Sequence, residues 1–259
     1  LLTCSLMLGG CGVKKEKEAD SELPKIVIGM DYFEPYSYQA SDGEYKGIDV
    51  ELAKEAFRRL GYRPKFENIV WEDKDELLAD GTVDCLWSSY SMNGREDKYQ
   101  WAGPYLYSRQ MVVVKNESEI QTLSDLKGKR IAVQATTKAE DLFLHNIKSD
   151  LPQMQQVNCF STTNEIYAAL RKSYVDAIAG HEAMLGSLVK EGKDAYRMLD
   201  ESIYKSELGV AFKKGTHEEV AADLTETLKK LQREGITEKI VTKYGLDADE
   251  ILPEGEQNE

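Results

Sequence analysis

The sequence is poor in the residues that build metal centres. Its 259 residues hold three histidines and four cysteines, which leaves little material for a zinc site. Long apolar runs are missing too. No stretch approaches the roughly 18–20 apolar residues of a spanning helix, which excludes a polytopic membrane protein. Positive charge is in short supply: 33 Lys and Arg stand against 46 Asp and Glu, a net charge of −13. Holding phosphates requires a basic face, so nucleic acid is excluded as a partner. His-Glu-x-x-His, Gly-x-Ser-x-Gly and the phosphate loop are absent, so no enzyme motif stands out. What is present is ordinary for a globular chain. Hydrophobic residues make up 41% and charged residues 31%, too apolar for a disordered protein. The length allows one large domain or two lobes.

The N-terminus changes character abruptly. Residues 1–10 are apolar and small, and Val13-Lys14-Lys15-Glu16-Lys17-Glu18 follows directly after Cys11. This reads as the last part of a secretory signal. Leu8-Gly9-Gly10-Cys11 resembles the bacterial lipobox, in which the cysteine is acylated. Cys11 is therefore the expected lipidation site, and an anchor there would hold the protein to the membrane through lipid alone. Residues 11–24 read as the lipidated cysteine and a charged tether. Residues 247–259 read as an acidic, frayed tail. Cys85 and Cys159 sit in strand-like runs and are expected to be unpaired core thiols.

Between these ends, short apolar runs alternate with amphipathic segments. Ile26–Met30 is a strand candidate. Asp49 is positioned to cap a helix whose apolar face is Val50, Ala53, Ala56, Phe57 and Leu60, with Gly61 as the stop. Strands over Lys65–Val70 and Val83–Trp87 flank a short helix, Asp73–Ala79. The pattern β-α-β-α-β then repeats. Met111–Val114, Ile131–Val133, Gln155–Phe160, Asp176–Ala179 and Leu208–Phe212 read as strands. Ala139–Ile147 and Glu182–Val189 read as helices. Thr162 with Glu165, and Thr216 with Glu219, have the spacing of capping boxes. Continuous apolar strands suit parallel sheets covered on both faces. An internal echo runs through both halves: Leu78-Ala79-Asp80-Gly81-Thr82-Val83-Asp84 parallels Leu170-Arg171-Lys172-Ser173-Tyr174-Val175-Asp176. Two α/β lobes place a ligand in the crevice at the carboxyl ends of their strands.

A series of motifs now resembles one family. It comprises Ile28-Gly29-Met30-Asp31 with Glu34-Pro35-Tyr36, Gly47-Ile48-Asp49-Val50-Glu51-Leu52-Ala53, Gly81-Thr82-Val83-Asp84, Ser91 to Arg95, and Gly103-Pro104-Tyr105. Leu123-Ser124-Asp125-Leu126-Lys127-Gly128-Lys129, Ile131-Ala132-Val133-Gln134 and Val175-Asp176-Ala177-Ile178 complete it. In order and spacing, from about Lys25 to Tyr244, they resemble the bacterial extracellular solute-binding proteins for polar amino acids, the binding components of ABC importers. The resemblance implies an α/β, two-lobed fold of the type II periplasmic-binding class, each lobe a mostly parallel sheet flanked by helices. Lobe one would take 25–113 and 209–246, and lobe two 114–208. Two crossover hinge segments would join them, near Val113–Lys115 and Leu208–Phe212.

The family's ligand contacts carry over one at a time. An acid after the first strand matches Asp31, and the following aromatic matches Phe33 or Tyr32. The aromatic after the second strand matches Trp71. Hydroxyl residues after the third strand match Ser88, Ser89 and Ser91. The carboxylate-clamping arginine matches Arg95, with a spacing from Ser91 one residue shorter than the commonest form. The anion loop of lobe two matches Gln134, Thr137 and Lys138, with Thr136 where a glycine is usual. Where the ammonium-binding Asp should stand, this chain has His181, with Glu182 next to it.

The chemistry agrees with these roles: a zwitterion needs a cation, an acid and a wall for its side chain, and an arginine fork fits a carboxylate. The expectation is an extracytoplasmic, monomeric binding protein that delivers an amino acid to a permease, without cofactor or metal. Two alternatives stay open, a dehydratase-like enzyme on the same fold and a sensing module for a membrane receptor.

Overall fold

A computed structural model describes residues 23–253 except 146, 148 and 149. Cys4, Cys11 and the tether up to residue 22 lie outside the described residues, as does the tail from 254. The chain begins with β1 (Lys25–Met30), a hairpin of β2 (Tyr38–Gln39) and β3 (Tyr45–Lys46), and α1 (Ile48–Arg59). Then come β4 (Arg63–Asn68), α2 (Lys74–Ala79), β5 (Cys85–Ser91) and the long β6 (Tyr99–Lys115). The second half holds β7 (Arg130–Gln134), α3 (Lys138–Phe143), β8 (Gln156–Phe160), α4 (Thr163–Arg171), β9 (Ala177–His181), α5 (Glu182–Glu191) and β10 (Tyr196–Met198). The last stretch is β11 (Tyr204–Lys213), α6 (Glu218–Arg233), α7 (Ile236–Lys243) and α8 (Ala248–Ile251).

The strand pairing makes two lobes of one design. β1 lies between β4 and β5 and is parallel to both. β7 lies between β8 and β9 and is parallel to both. The internal echo marks equivalent places in them. Asp84 accepts from Val27 N at 2.7 Å through its carboxylate, and its own N donates to Val27 O. Asp176 does the same to Arg130, with its carboxylate 2.9 Å from Arg130 N. Gly81 and Ser173, at matching positions, both take positive φ, +81° and +59°. Each aspartate thus fixes the register at which its third strand enters beside its first.

The lobes are joined through paired strands. β6 and β11 run antiparallel to each other from Tyr99↔Lys213 to Gln110↔Tyr204. At Gln110 β6 takes up β9 as well, and at Leu208 β11 takes up β5. Both crossings are therefore strand segments held to each other, with the cleft between the carboxyl ends of the parallel strands.

Several local expectations hold, and others are corrected. Thr162 and Glu165 form the expected capping box on α4. Replacing Thr162 by Ala should cost about 1 kcal/mol and lower the melting temperature by roughly 2–4 °C, measurable by calorimetry.

Thr216 does not cap α6. His217 occupies that position with φ 53°, and the Thr216 hydroxyl turns back to Lys213 O. Asp49 does not cap α1 either. Gly47 stands there with φ +122°, where a Cβ would lie 2.2 Å from Tyr36 O, so only glycine fits. Asp49, the second residue of the helix, is fully buried.

Cys85 is a buried free thiol as expected, but Cys159 is exposed, because β8 is an edge strand of the sheet. The segment from Asp247, expected to fray, forms α8, with Asp247 accepting from Asp249 N.

Candidate ligand-binding cleft

Elements from both lobes line a small, partly open cleft between them. From lobe one come Asp31 and Phe33 after β1, Trp71 after β4, and Ser88 to Ser91 at the end of β5. From lobe two come Gln134 and Thr137 after β7, Lys138 at the start of α3, and His181 at the end of β9. All the expected site residues meet here except Arg95. Tyr90, which sequence reasoning passed over, lies in the wall.

Asp31 is held in place by its main chain. Its N donates to Ser88 Oγ at 3.3 Å, Ser37 Oγ donates to its carbonyl at 2.9 Å, and the two serine hydroxyls meet at 2.9 Å. This closed ring uses the Ser88 hydroxyl structurally. The Asp31 carboxylate accepts from Tyr32 N at 2.7 Å and, across the cleft, from Gln134 Nε2 at 2.5 Å. Burial pushes its carboxyl above the usual range, against the pull of these two donors.

Asp49 works behind the wall. Its carboxylate accepts from Ser89 N at 2.6 Å and from Tyr105 Oη at 2.7 Å. Burial raises it to about 7. It holds Ser89 at φ 44°, the left-handed region, which non-glycine residues enter at a cost. Ser89 Oγ is buried and has no partner among the described residues. The Gly47-Ile48-Asp49 motif was visible in sequence, but a polar residue at a helix start reads as a cap.

The apolar walls are Phe33 and Trp71. Trp71 packs edge-on against Tyr90, ring centroids 5.0 Å apart, with Lys74 Nζ 5.3 Å from its ring. Burial lowers Lys74 to about 8. Phe33 stands edge-on to His181 at 5.4 Å.

His181 is anchored at both ring nitrogens. Nδ1 lies 2.9 Å from Ser108 Oγ, and Nε2 lies 3.3 Å from Gln110 Nε2, which also donates to Ser206 Oγ at 3.2 Å. In a neutral ring one of these nitrogens donates and the other accepts, and the Ser108 hydroxyl and the Gln110 amide can serve either arrangement. Burial, helped by the nearby Arg95 charge, lowers the ring to about 3. His181 is thus a neutral group tied to β6 and, through Gln110, to β11.

Arg95 is placed just outside the cavity. Its guanidinium donates to Asp141 across the cleft at 2.5 Å and to Ser91 O at 3.1 Å, 5.1 Å from the Tyr90 ring centroid. Ser91 Oγ reaches Asn93 Oδ1 at 3.4 Å, and Thr137 Oγ1 donates to Gln134 O at 2.7 Å. Lys138 Nζ donates to Asn93 O at 2.8 Å, and Ser161 Oγ to Glu72 at 2.6 Å. With Gln134 to Asp31, these contacts bring the lobes together around the cavity.

Two α/β lobes meeting on a polar cavity define a bilobal solute-binding fold. The chain belongs to the bacterial extracellular solute-binding proteins, family 3, which it matches over residues 26–247. It is similar to the L-cystine-binding protein TcyJ of Escherichia coli (strain K12), 26% identical over 223 residues, 85% of this chain and 82% of that one. A substrate-binding protein of an ABC uptake transporter from Streptococcus pneumoniae, solved with bound histidine, matches with a TM-score of 0.77 at 25% identity, covering 92% of this chain and 98% of that one. The ancestral amino acid-binding protein AncCDT-1, a precursor of cyclohexadienyl dehydratase, shares the fold with a TM-score of 0.75 at 24% identity, over 90% and 98% of the two chains. Among the described residues, no helix is long and apolar enough to cross a membrane.

Proposed function

We propose that this protein binds an amino acid between its lobes and delivers it to the permease of an ABC importer. One observation carries the reading. The cavity presents one carboxylate, Asp31 from lobe one, and an ammonium, Lys138 from lobe two, beside the aromatic walls of Phe33 and Trp71. That is the complement of a zwitterion with a side chain. The relatives named for cystine and solved with histidine support an amino acid over a sugar or an ion. In this reading the lobes, 25–113 with 209–246 and 114–208, rotate about the paired strands β6 and β11. A ligand touching both would favour closure.

Binding without turnover is the favoured reading. A dehydratase would need an acid and a base in the crevice. Asp31 is the one carboxylate among the described lining residues, and His181 is neutral with both nitrogens engaged. The lipobox-like Leu8-Gly9-Gly10-Cys11 supports an extracytoplasmic protein anchored through lipid.

The test is a thermal-shift screen of the protein amino acids and cystine, followed by mass spectrometry of compounds released from purified protein. A ligand at a hundred times its Kd stabilises the native state by about 2.7 kcal/mol, so a clear rise in melting temperature is expected. The bound compound should be recovered chemically unchanged. A flat screen, or conversion of the bound compound, would sink the proposal.

A further inference from the structure

We propose that Lys138, in place of Arg95, is the cation that meets the carboxylate of the bound amino acid. This rests on the amino-acid reading above and assigns its polarity. Arg95 already has a carboxylate partner. Asp141 takes its Nη2 at 2.5 Å across the cleft, the Ser91 carbonyl takes Nη1, and the side chain is only 11% exposed. A ligand carboxylate would have to evict Asp141 and leave that half-buried acid unpaired. Arg95 also stands outside the cavity lining.

Lys138 is in the opposite condition. It is 3% exposed, lines the cavity, and is in no ion pair among the described residues. Its Nζ donates to the Asn93 carbonyl at 2.8 Å and lies 5.2 Å from the Tyr204 ring centroid. A carbonyl and a ring face soften a buried ammonium but do not neutralise it. An N–H and the full charge remain for an anion.

The second observation is Ser89. It is 3% exposed, lines the same cavity, and its Oγ has no hydrogen-bond partner among the described residues. A buried hydroxyl without a partner is rare in native proteins and marks a place for a ligand atom. Ser89 and Lys138 come from opposite lobes, so a carboxylate between them would draw the lobes together. Asp31 is then left for the ammonium. Arg95 and Asp141 form an interlobe latch beside the site, outside the direct contacts.

The test pairs each acid with its carboxamide. L-Histidine, L-arginine and L-cystine are titrated calorimetrically beside L-histidinamide, L-argininamide and L-cystine diamide. The wild type should prefer the acid form of whichever amino acid it binds. Lys138→Met should weaken that acid by about a hundredfold and its amide by less than about threefold, erasing the preference. Lys138→Arg should restore part of it, which a merely structural role would not produce. Arg95→Met should weaken acid and amide by the same factor, because its partner is Asp141. If Lys138→Met fails to fold, Lys138→Gln serves in the same comparison. A preference that survives at Lys138 and disappears in Arg95→Met would overturn the assignment in favour of Arg95. If none of the three binds, the same acid and carboxamide pair is run for whichever amino acid the thermal-shift screen returns. A screen flat for every amino acid overturns the amino-acid reading itself, and an acid preference unchanged in Lys138→Met overturns this assignment alone.

Discussion

Asp31→Asn is expected to weaken amino-acid binding by more than about a hundredfold, roughly 3 kcal/mol, with little loss of fold stability. The fold should survive because the Asp31 main chain, not its carboxylate, closes the ring with Ser37 and Ser88. The carboxylate itself faces the cavity and contributes two acceptor contacts, to Tyr32 N and Gln134 Nε2. It is the sole acid in the lining among the described residues. His181 stands where the family resemblance places an acid, but its ring is neutral and already engaged. A ligand ammonium therefore has one anion to meet.

The pH dependence follows from the same burial. With its carboxyl above the usual range, Asp31 loses its charge earlier on acidification than an exposed aspartate would. In the wild type the decline in binding on acidification should set in at a higher pH than an exposed aspartate would give, and it should vanish in Asp31→Asn. Calorimetry of L-histidine beside imidazolepropionate, its deaminated counterpart, isolates the ammonium. An equal loss for both compounds would show that the ammonium is held elsewhere.

Much of this site was legible because strand ends are legible. An apolar run followed by polar residues marks a strand's carboxyl end, and a crevice site gathers those ends. Ser88, Ser89, Ser91, Gln134 and Lys138, expected together from local pattern and resemblance, do line one cleft. What was not legible depends on contacts between distant segments. Asp141 sits in the short helix α3 and looks like a solvated charge until the lobes meet and it reaches Arg95, 46 positions away. Asp49 reads as a cap because capping is a local property, whereas its acceptance from Ser89 and Tyr105 is not. Cys159 was misjudged for a related reason: an apolar run shows that a strand exists but not whether it ends at the sheet's edge. The echo at Asp84 and Asp176 is the contrary case. There a local sequence match reported a long-range contact, because each lobe binds its first strand near its start through an equivalent aspartate.

His181→Gln should change how stability responds to acid. An unfolded histidine titrates near 6.5, while burial in the native cleft lowers this one to about 3. Between those values the unfolded chain holds the extra proton, so acid favours unfolding. The stability contributed by the neutral ring is complete above about pH 6.5 and is lost as the pH falls toward 3. From pH 7 to pH 5 the loss is about 2 kcal/mol. Asp49 has the opposite sign. Its carboxyl is raised to about 7, so the native state takes up a proton early and gains stability as the pH falls through that value. The two slopes offset each other in the wild type, and its own profile can look flat. The difference between variant and wild type is what reports His181. Gln does not titrate here and can still bond to Ser108 and Gln110, so Asp49 acts alike in both proteins. Urea unfolding at pH 7, 6 and 5 should show His181→Gln gaining about 2 kcal/mol on the wild type across that range. Parallel profiles would mean that the native cleft accepts a charged imidazole, and Asp31 or Glu182 would then have to be its counter-ion.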